Sequence, residues 1–421
     1  MEGNADAINK DFTIQCKASR GVIVVNASYP SANQFTTYAC YLINPQTRAI
    51  IQRQMYQAQP EFRFSVSAGT YVVKVFISYK TSEEQEAVRF SKLSQPVEAK
   101  SKLAFPTVAV DYKDLEQLDL CRKGTTLYKI AWNGVTFDFA IHYDKAAKSA
   151  VVLGTGAIRV RTNLPAFNRI SWAGDMPGCA IYYFDPTLYS NDIALCWCYG
   201  TNKRWYLENI AVILYKLLEK LNIARKDTLF FGSSGGGYTS MLLASMLHGR
   251  ASVINPQFFL ERYLPSWFPN FRKAVLRPGE ELIPERISVT QLLKREGFFP
   301  PMQVWQNQTS QNDQKNQLLP FLKELVDSPL VYGGKLTVAF YYNEGGHNAM
   351  PSKEDCIEVI KRELARPAPC LEESGPYPKN SLLARMEGAA FDQVYREIQL
   401  LMEENRRRET GYRIIIRGGL E

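Results

Sequence analysis

The stretch Gly232-Ser233-Ser234-Gly235-Gly236 constrains the fold of this 421-residue chain more than any other. An apolar run, Thr228-Leu229-Phe230-Phe231, precedes it, and a helix-like stretch, Tyr238 to Leu247, follows. A strand that passes through Gly-x-Ser-x-Gly into a helix must turn sharply, so its flanking positions favour residues with little or no side chain. Ser234 at the centre then stands exposed above the sheet, and the N–H of Gly235 points to where negative charge would develop on a reacting oxygen. A glycine-rich turn of this kind can also hold a phosphate. However, no Lys-Ser or Lys-Thr follows it, and glycines 232, 235, 236 and 237 do not fit Gly-x-Gly-x-x-Gly.

The rest of the chain falls into three parts. Residues 12 to about 100 hold short β-rich runs such as Gly21–Val25, Tyr38–Ile43, Phe62–Val66 and Tyr71–Ile77, separated by turn residues including Asn44-Pro45 and Ala68-Gly69. Phe62, Phe64 and Val66 alternate with Arg63 and Ser65, the period of a half-buried strand. A small immunoglobulin-like sandwich is expected over 1–103. The polar stretch at 82–103 marks its end. An α/β domain is expected over 104–370. It opens with a hairpin that turns at Asn133-Gly134. Strands at Ala150–Gly154, Cys179–Phe184, Ala251–Ile254, Gln303–Trp305 and Leu336–Tyr342 follow, with a helix from Trp205 to Leu221 whose leucines and isoleucines form one broad face. Hairpin first, then alternating strands and helices, gives a mostly parallel sheet flanked by helices. The tail at 371–421 carries Leu383, Met386, Ala390, Phe391, Val394, Ile398 and Leu401 mostly three or four apart. That spacing gives an amphipathic helix, expected to dock on this chain or to join a second copy as a homo-oligomer.

The chain has three histidines. His142 lies in the hairpin and His248 ends the helix after the turn, while His347 sits in Asn343-Glu344-Gly345-Gly346-His347-Asn348, just past the last strand. The region from about 125 to 365 resembles the α/β-hydrolase superfamily, of serine esterase or acyltransferase type. Gly232-Ser233-Ser234-Gly235-Gly236, Gly154-Thr155-Gly156 and Gly345-Gly346-His347 carry the resemblance. It implies that Ser234 is the nucleophile and His347, late in the chain on the loop after the final strand, the general base. The second oxyanion N–H would come from the loop Gly154-Thr155-Gly156-Ala157, with Gly154 and Thr155 as the candidates beside Gly235. The acid should follow the penultimate strand, and the first carboxylate there is Asp313 in Gln311-Asn312-Asp313-Gln314. Asp313 also reads as a helix amino-terminal residue favoured by the dipole. Glu344 is near His347 in sequence. Asp185, after the fourth strand, and Trp197, before the helix that leads to the turn, are candidate substrate contacts. Turn chemistry is the other reading of Asp185, and core packing that of Trp197. Asn255-Pro256-Gln257 follows the sixth strand with the same two readings. There is a looser similarity of general architecture to hydrolase-like proteins of bacterial surface-glycan assembly.

Composition narrows the partners. Apolar residues make up 46% and charged residues 22%, as in ordinary soluble proteins. The amino terminus has no apolar core, and no 18-residue apolar run occurs, so neither a signal peptide nor a membrane insertion is expected. The eight cysteines are scattered and lack zinc spacing, which suits free thiols in a cytoplasmic protein with no metal and no cofactor. The net charge of +8 is not gathered into a long basic tract, so no nucleic-acid partner is expected. Aromatic residues, at 12%, suit a carbohydrate groove and an aromatic core equally. The resulting expectation is a serine hydrolase or acyltransferase. Its substrate would be a small-molecule or glycan ester or thioester, with a glycan O-acyl group among the candidates. The alternative is a non-catalytic hydrolase-like scaffold or binding protein in a surface-glycan assembly complex.

Overall fold

A computed structural model describes residues 10–19, 22–45, 48–66, 69–99, 105–158, 164–264, 266–367, 378–386 and 388. The first eight strands are β1 (Thr13–Ser19), β2 (Val22–Ser28), β3 (Thr37–Ile43), β4 (Ile50–Gln57), β5 (Glu61–Ser65), β6 (Gly69–Tyr79), β7 (Val88–Leu93) and β8 (Val97–Ala99). They form a three-stranded sheet, β1-β2-β5, and a second sheet, β4-β3-β6-β7, with β8 paired to β6. All of these pairings are antiparallel. Alternation decides which side chains face inward. Ile23 and Val25 of β2, Phe62 and Phe64 of β5, Cys40 and Leu42 of β3, and Val73, Val75 and Ile77 of β6 share one buried cluster. The two sheets are therefore sandwiched face to face.

The remaining strands are β9 (Thr107–Asp111), β10 (Gly124–Trp132), β11 (Val135–Tyr143), β12 (Ala150–Leu153), β13 (Cys179–Tyr183), β14 (Thr228–Ser233), β15 (Arg250–Ile254), β16 (Met302–Asn307) and β17 (Leu336–Tyr341). They make one nine-stranded sheet in the order β17-β16-β15-β14-β12-β13-β11-β10-β9. The hairpin strand β11 runs antiparallel to both neighbours, and the other pairings are parallel. Asn133 and Gly134 turn this hairpin with φ of 45° and 78°, the left-handed pair that a two-residue loop requires.

Central strands such as β12 and β14 are buried on both faces, so they are apolar without alternation. Phe230 points into one cluster, and Leu229 and Phe231 into the other. Helices cover the first face: α1 (Tyr206–Lys220), α2 (Ser234–Met246), α3 (Phe268–Val275), α4 (Val289–Glu296) and, after the short turn α5 (Gln311–Asp313) that follows β16, α6 (Leu319–Val326). Residues of α7 (Lys353–Ala365), namely Cys356, Ile357 and Ile360, pack on the second. α1 buries one stripe, including Leu207, Ile210, Leu214, Leu217 and Leu218. α2 is buried almost all round, as its central position requires. Among the tail residues, Leu382 and Leu383 are buried and the Leu382 N–H donates to Glu296 Oε2 at 2.8 Å. The expected stripe from Ala390 to Leu401 lies outside the described residues.

Candidate active site

The turn between β14 and α2 is as tight as its glycines imply. Ser234 sits in the left-handed region at φ 51°, a strain of order 1–3 kcal/mol that the surrounding packing must hold. A Cβ on Gly232 would collide with the Gly236 carbonyl oxygen. One on Gly235 would lie 2.8 Å from the Leu195 side chain and 3.0 Å from Trp197 Nε1. Ser234 Oγ lies 2.8 Å from His347 Nε2 and accepts from Gln257 Nε2 at 3.2 Å.

His347 lies on the helical turn Gly346–Asn348 after β17. Two fully buried asparagines pin this loop. Asn307 Nδ2 donates to the carbonyls of Asn343 and Gly346 at 2.7 and 2.8 Å, and its Oδ1 accepts from Asn343 N at 3.1 Å. Asn255 Nδ2 reaches the His347 carbonyl at 3.1 Å and the Tyr341 hydroxyl at 2.9 Å. Burial pushes the Tyr341 phenol up to about 12, so it remains a neutral donor to the Ala349 carbonyl at 2.7 Å. His347 Nδ1 lies 2.6 Å from Asp313 Oδ2, which also accepts from Ser310 Oγ at 2.6 Å. Asp313 is 2% exposed on the α5 turn, whereas the His347 side chain is 25% exposed. A carboxylate only accepts, so the network assigns the ring proton to Nδ1 and leaves Nε2 to accept from the serine hydroxyl.

The structure thus brings Ser234, His347 and Asp313 into hydrogen-bonding sequence. The other histidines lie elsewhere. His142 Nδ1 meets Thr125 Oγ1 across the hairpin at 2.9 Å, and the His248 ring stacks on Phe298 at 3.9 Å. Gly154 and Thr155 are buried next to the turn. A Cβ on Gly154 would collide with the Tyr183 hydroxyl, and Thr155 Oγ1 donates to the Tyr183 carbonyl at 2.8 Å. Ala157 is the exposed member of that loop.

Asp185 and Trp197 are both buried in the layer behind the Ser234 turn. Asp185 is 2% exposed, and its two oxygens accept the N–H groups of Thr187 and Cys198, each at 2.8 Å. Burial raises its carboxyl pKa against those hydrogen bonds. In this position it offers no free oxygen to a substrate and instead braces Trp197 and Cys198, both left-handed at φ 50° and 55°. Trp197 is 2% exposed, packs edge-on against Phe271 at 5.0 Å, and donates Nε1–H to Gln257 Oε1 at 2.6 Å. Core packing is therefore the reading that fits Trp197.

Several residues around the site carried no sequence signal of their role. Asn307 and Ser310 lie in no motif. Arg169, left-handed at φ 62°, rests over Phe231 and Trp172 and donates to Ser233 Oγ at 2.9 Å. Asn255 and Gln257 were legible as pocket or turn residues, but their partners were not.

Strand order, the single antiparallel hairpin strand and the serine turn after β14 together define an α/β-hydrolase fold, a hydrolase-type scaffold. No protein-family model and no curated protein matches the chain. Among solved structures, it is similar to the Gap123 glycosylation-associated protein complex of Streptococcus agalactiae at 13% identity, covering 86% of this chain and 72% of that one, with a TM-score of 0.45. It is also similar to an S-formylglutathione hydrolase from Agrobacterium tumefaciens at 15% identity, covering 55% and 91%, with a TM-score of 0.41. A Pyrobaculum calidifontis esterase shares 13% identity over 60% and 87%, with a TM-score of 0.41. At such values the fold assignment rests on this chain's own strand order. Among the described residues no helix is long and apolar enough to cross a membrane.

Proposed function

We propose that this protein is a serine hydrolase or acyltransferase that takes an acyl group from an ester or thioester onto Ser234. The observation that carries the reading is the continuous hydrogen-bond path from Ser234 Oγ to His347 Nε2 at 2.8 Å and from His347 Nδ1 to Asp313 at 2.6 Å. Both links lie within the reach that proton transfer needs. Ser234 Oγ attacks the carbonyl carbon while its proton passes to His347 Nε2. Negative charge collects on the carbonyl oxygen beside the Gly235 N–H, one of the first N–H groups of α2, which have no partner within the helix. An N–H of the 154–157 loop is the second donor. The tetrahedral species collapses, the bond to the leaving oxygen or sulfur breaks, and Nε2 returns the proton to the leaving group. Water or an acceptor hydroxyl then attacks the acyl-serine, giving its proton to Nε2, and Ser234 is released with that proton. Asp313 holds the imidazole in the required tautomer and stabilises its cationic form.

The choice of water or sugar hydroxyl in the last step separates esterase from transferase. A glycan O-acyl group belongs in the first substrate panel, on the general resemblance to hydrolase-like glycan-assembly proteins. The deciding experiment is labelling with a fluorophosphonate probe. Wild type and Ser233→Ala should label at Ser234, and Ser234→Ala should not. A wild-type protein that takes no label would turn the reading to a non-catalytic scaffold.

A further inference from the structure

We infer that Gln257 is a further catalytic residue of this site, a fixed side-chain donor that polarises the nucleophile oxygen. The inference rests on the serine-hydrolase reading above. Gln257 is fully buried after β15, and its backbone N–H also reaches the Ser234 carbonyl at 3.4 Å. An amide can ordinarily be turned either way, but here the neighbour removes the choice. The Trp197 indole nitrogen can only donate, and it sits 2.6 Å from Gln257 Oε1. The carbonyl end of the amide therefore faces Trp197, and the NH₂ end faces Ser234 Oγ at 3.2 Å.

That assignment gives the whole network one direction. Trp197 donates to Gln257, Gln257 to Ser234, Ser234 to His347, and His347 to Asp313. With an N–H arriving on one lone pair of Oγ, the serine proton is directed at Nε2. As the proton leaves, charge grows on Oγ and the Gln257 bond becomes charge-assisted, so it strengthens in the transition state. The same donor faces Oγ when it departs from the acyl-enzyme, so both half-reactions gain. The layers behind the amide explain why the glycines and strained residues of this corner are needed. Gly235 leaves room for the indole, and Asp185 holds the left-handed backbone that presents it.

The test uses full-length protein and a fluorophosphonate probe, with the site of labelling read by mass spectrometry. Gln257→Leu should still label at Ser234, but roughly 10- to 100-fold more slowly, the range for one hydrogen bond to a developing charge. Trp197→Phe frees the amide to rotate and should fall between wild type and Gln257→Leu. Gln257→Glu supplies a readout that loss of packing would not move. Its carboxyl donates only when protonated, so its labelling rate relative to Gln257→Leu should rise as the pH falls from about 8 towards the carboxyl range near 4.3. Rates for Gln257→Leu within twofold of wild type, or a Glu-to-Leu ratio flat with pH, would overturn the inference while labelling at Ser234 leaves the hydrolase reading standing. If Gln257→Leu does not fold, Gln257→Glu is read against wild type over the same pH range, and a Glu-to-wild-type ratio flat with pH, or a Trp197→Phe rate within twofold of wild type, overturns the inference. Wild type without label at Ser234 would remove the reading and the inference together.

Discussion

His347 holds one proton between two partners, and its sensitivity to change follows from that. Asp313 must accept from Nδ1 at 2.6 Å for Nε2 to be free for Ser234. Asp313→Asn can offer an NH₂ to Nδ1 and so reverse the tautomer, which places the wrong nitrogen towards the serine. Hydrolysis of a p-nitrophenyl ester by Asp313→Asn should fall by roughly two to four orders of magnitude, and His347→Ala should lose roughly three or more. Ser310→Ala removes a neutral donor to Asp313 and should cost no more than about tenfold. His142→Ala and His248→Ala should leave the rate near wild type, since neither ring touches the site. Ser234 and His347 were legible because chain order and loop position mark them out: a serine in a glycine-framed turn and one histidine past the last strand, whereas Asp313 also read as a helix amino-terminal residue and only its 2.6 Å contact with His347 Nδ1 separates the two readings. Gln257, Asn255 and Asn307 were not legible in their roles. Amide side chains act through whichever neighbour the fold supplies, and those neighbours, Ser234, the His347 loop and Trp197, are remote in sequence.

α2 carries Ser234 at one end and a half-buried histidine, His248, past the other, and the two ends call for different tests. At the first, Gly232→Ala would drive a methyl into the Gly236 carbonyl and should lose both cooperative unfolding and probe labelling, whereas Ser233→Ala at the neighbouring position should keep both. At the second, His248 stacks on Phe298 and its pKa is lowered from 6.5 to about 4, first by burial and then by the nearby Arg225 and Lys335 cations. The folded form thus binds its proton less readily than the unfolded chain. The associated stability is fully present above about pH 6.5 and is lost as the pH falls through about 4. The gap from 6.5 to about 4, at 1.36 kcal/mol per pH unit, caps the loss at about 3 kcal/mol. His248→Gln should flatten the fall in urea midpoint between those two pH values; an unchanged slope would show that other groups govern acid sensitivity. Elements with a strong period were legible: the Asn133-Gly134 hairpin and the helix now seen as Tyr206–Lys220. The segment from Asn255 to Ser288 was not. Its α3 and short 3₁₀ turns have too few residues to establish a period, and aromatic contacts position it, such as Trp197 with Tyr263 at 5.9 Å and Trp197 with Phe271 at 5.0 Å.

Across the whole molecule, two bodies of β-structure share no strand ladder among the described residues. β1 to β8 pair only with one another, and β9 opens the nine-stranded sheet as its edge beside β10. Each body closes its own core: Phe62, Phe64, Val73, Val75 and their neighbours in one, and the two clusters on either face of the large sheet in the other. The change from period-two runs to alternating strands and helices near residue 105 was the trace of this in the sequence. A sandwich of about 100 residues is within the size that folds alone, and none of its residues contributes to the Ser234–His347–Asp313 path. Two consequences can be measured. Residues 1–103 expressed alone should melt cooperatively and give a dispersed amide NMR spectrum. Residues 104–421 should still label at Ser234, at a rate within a few fold of the full chain. A fragment 1–103 that stays unfolded would mean that contacts with the rest of the chain complete its core. A labelled full chain with an unlabelled 104–421 fragment that is itself folded would mean that the sandwich shapes the active site, and its surface would then be the place to look for a substrate contact.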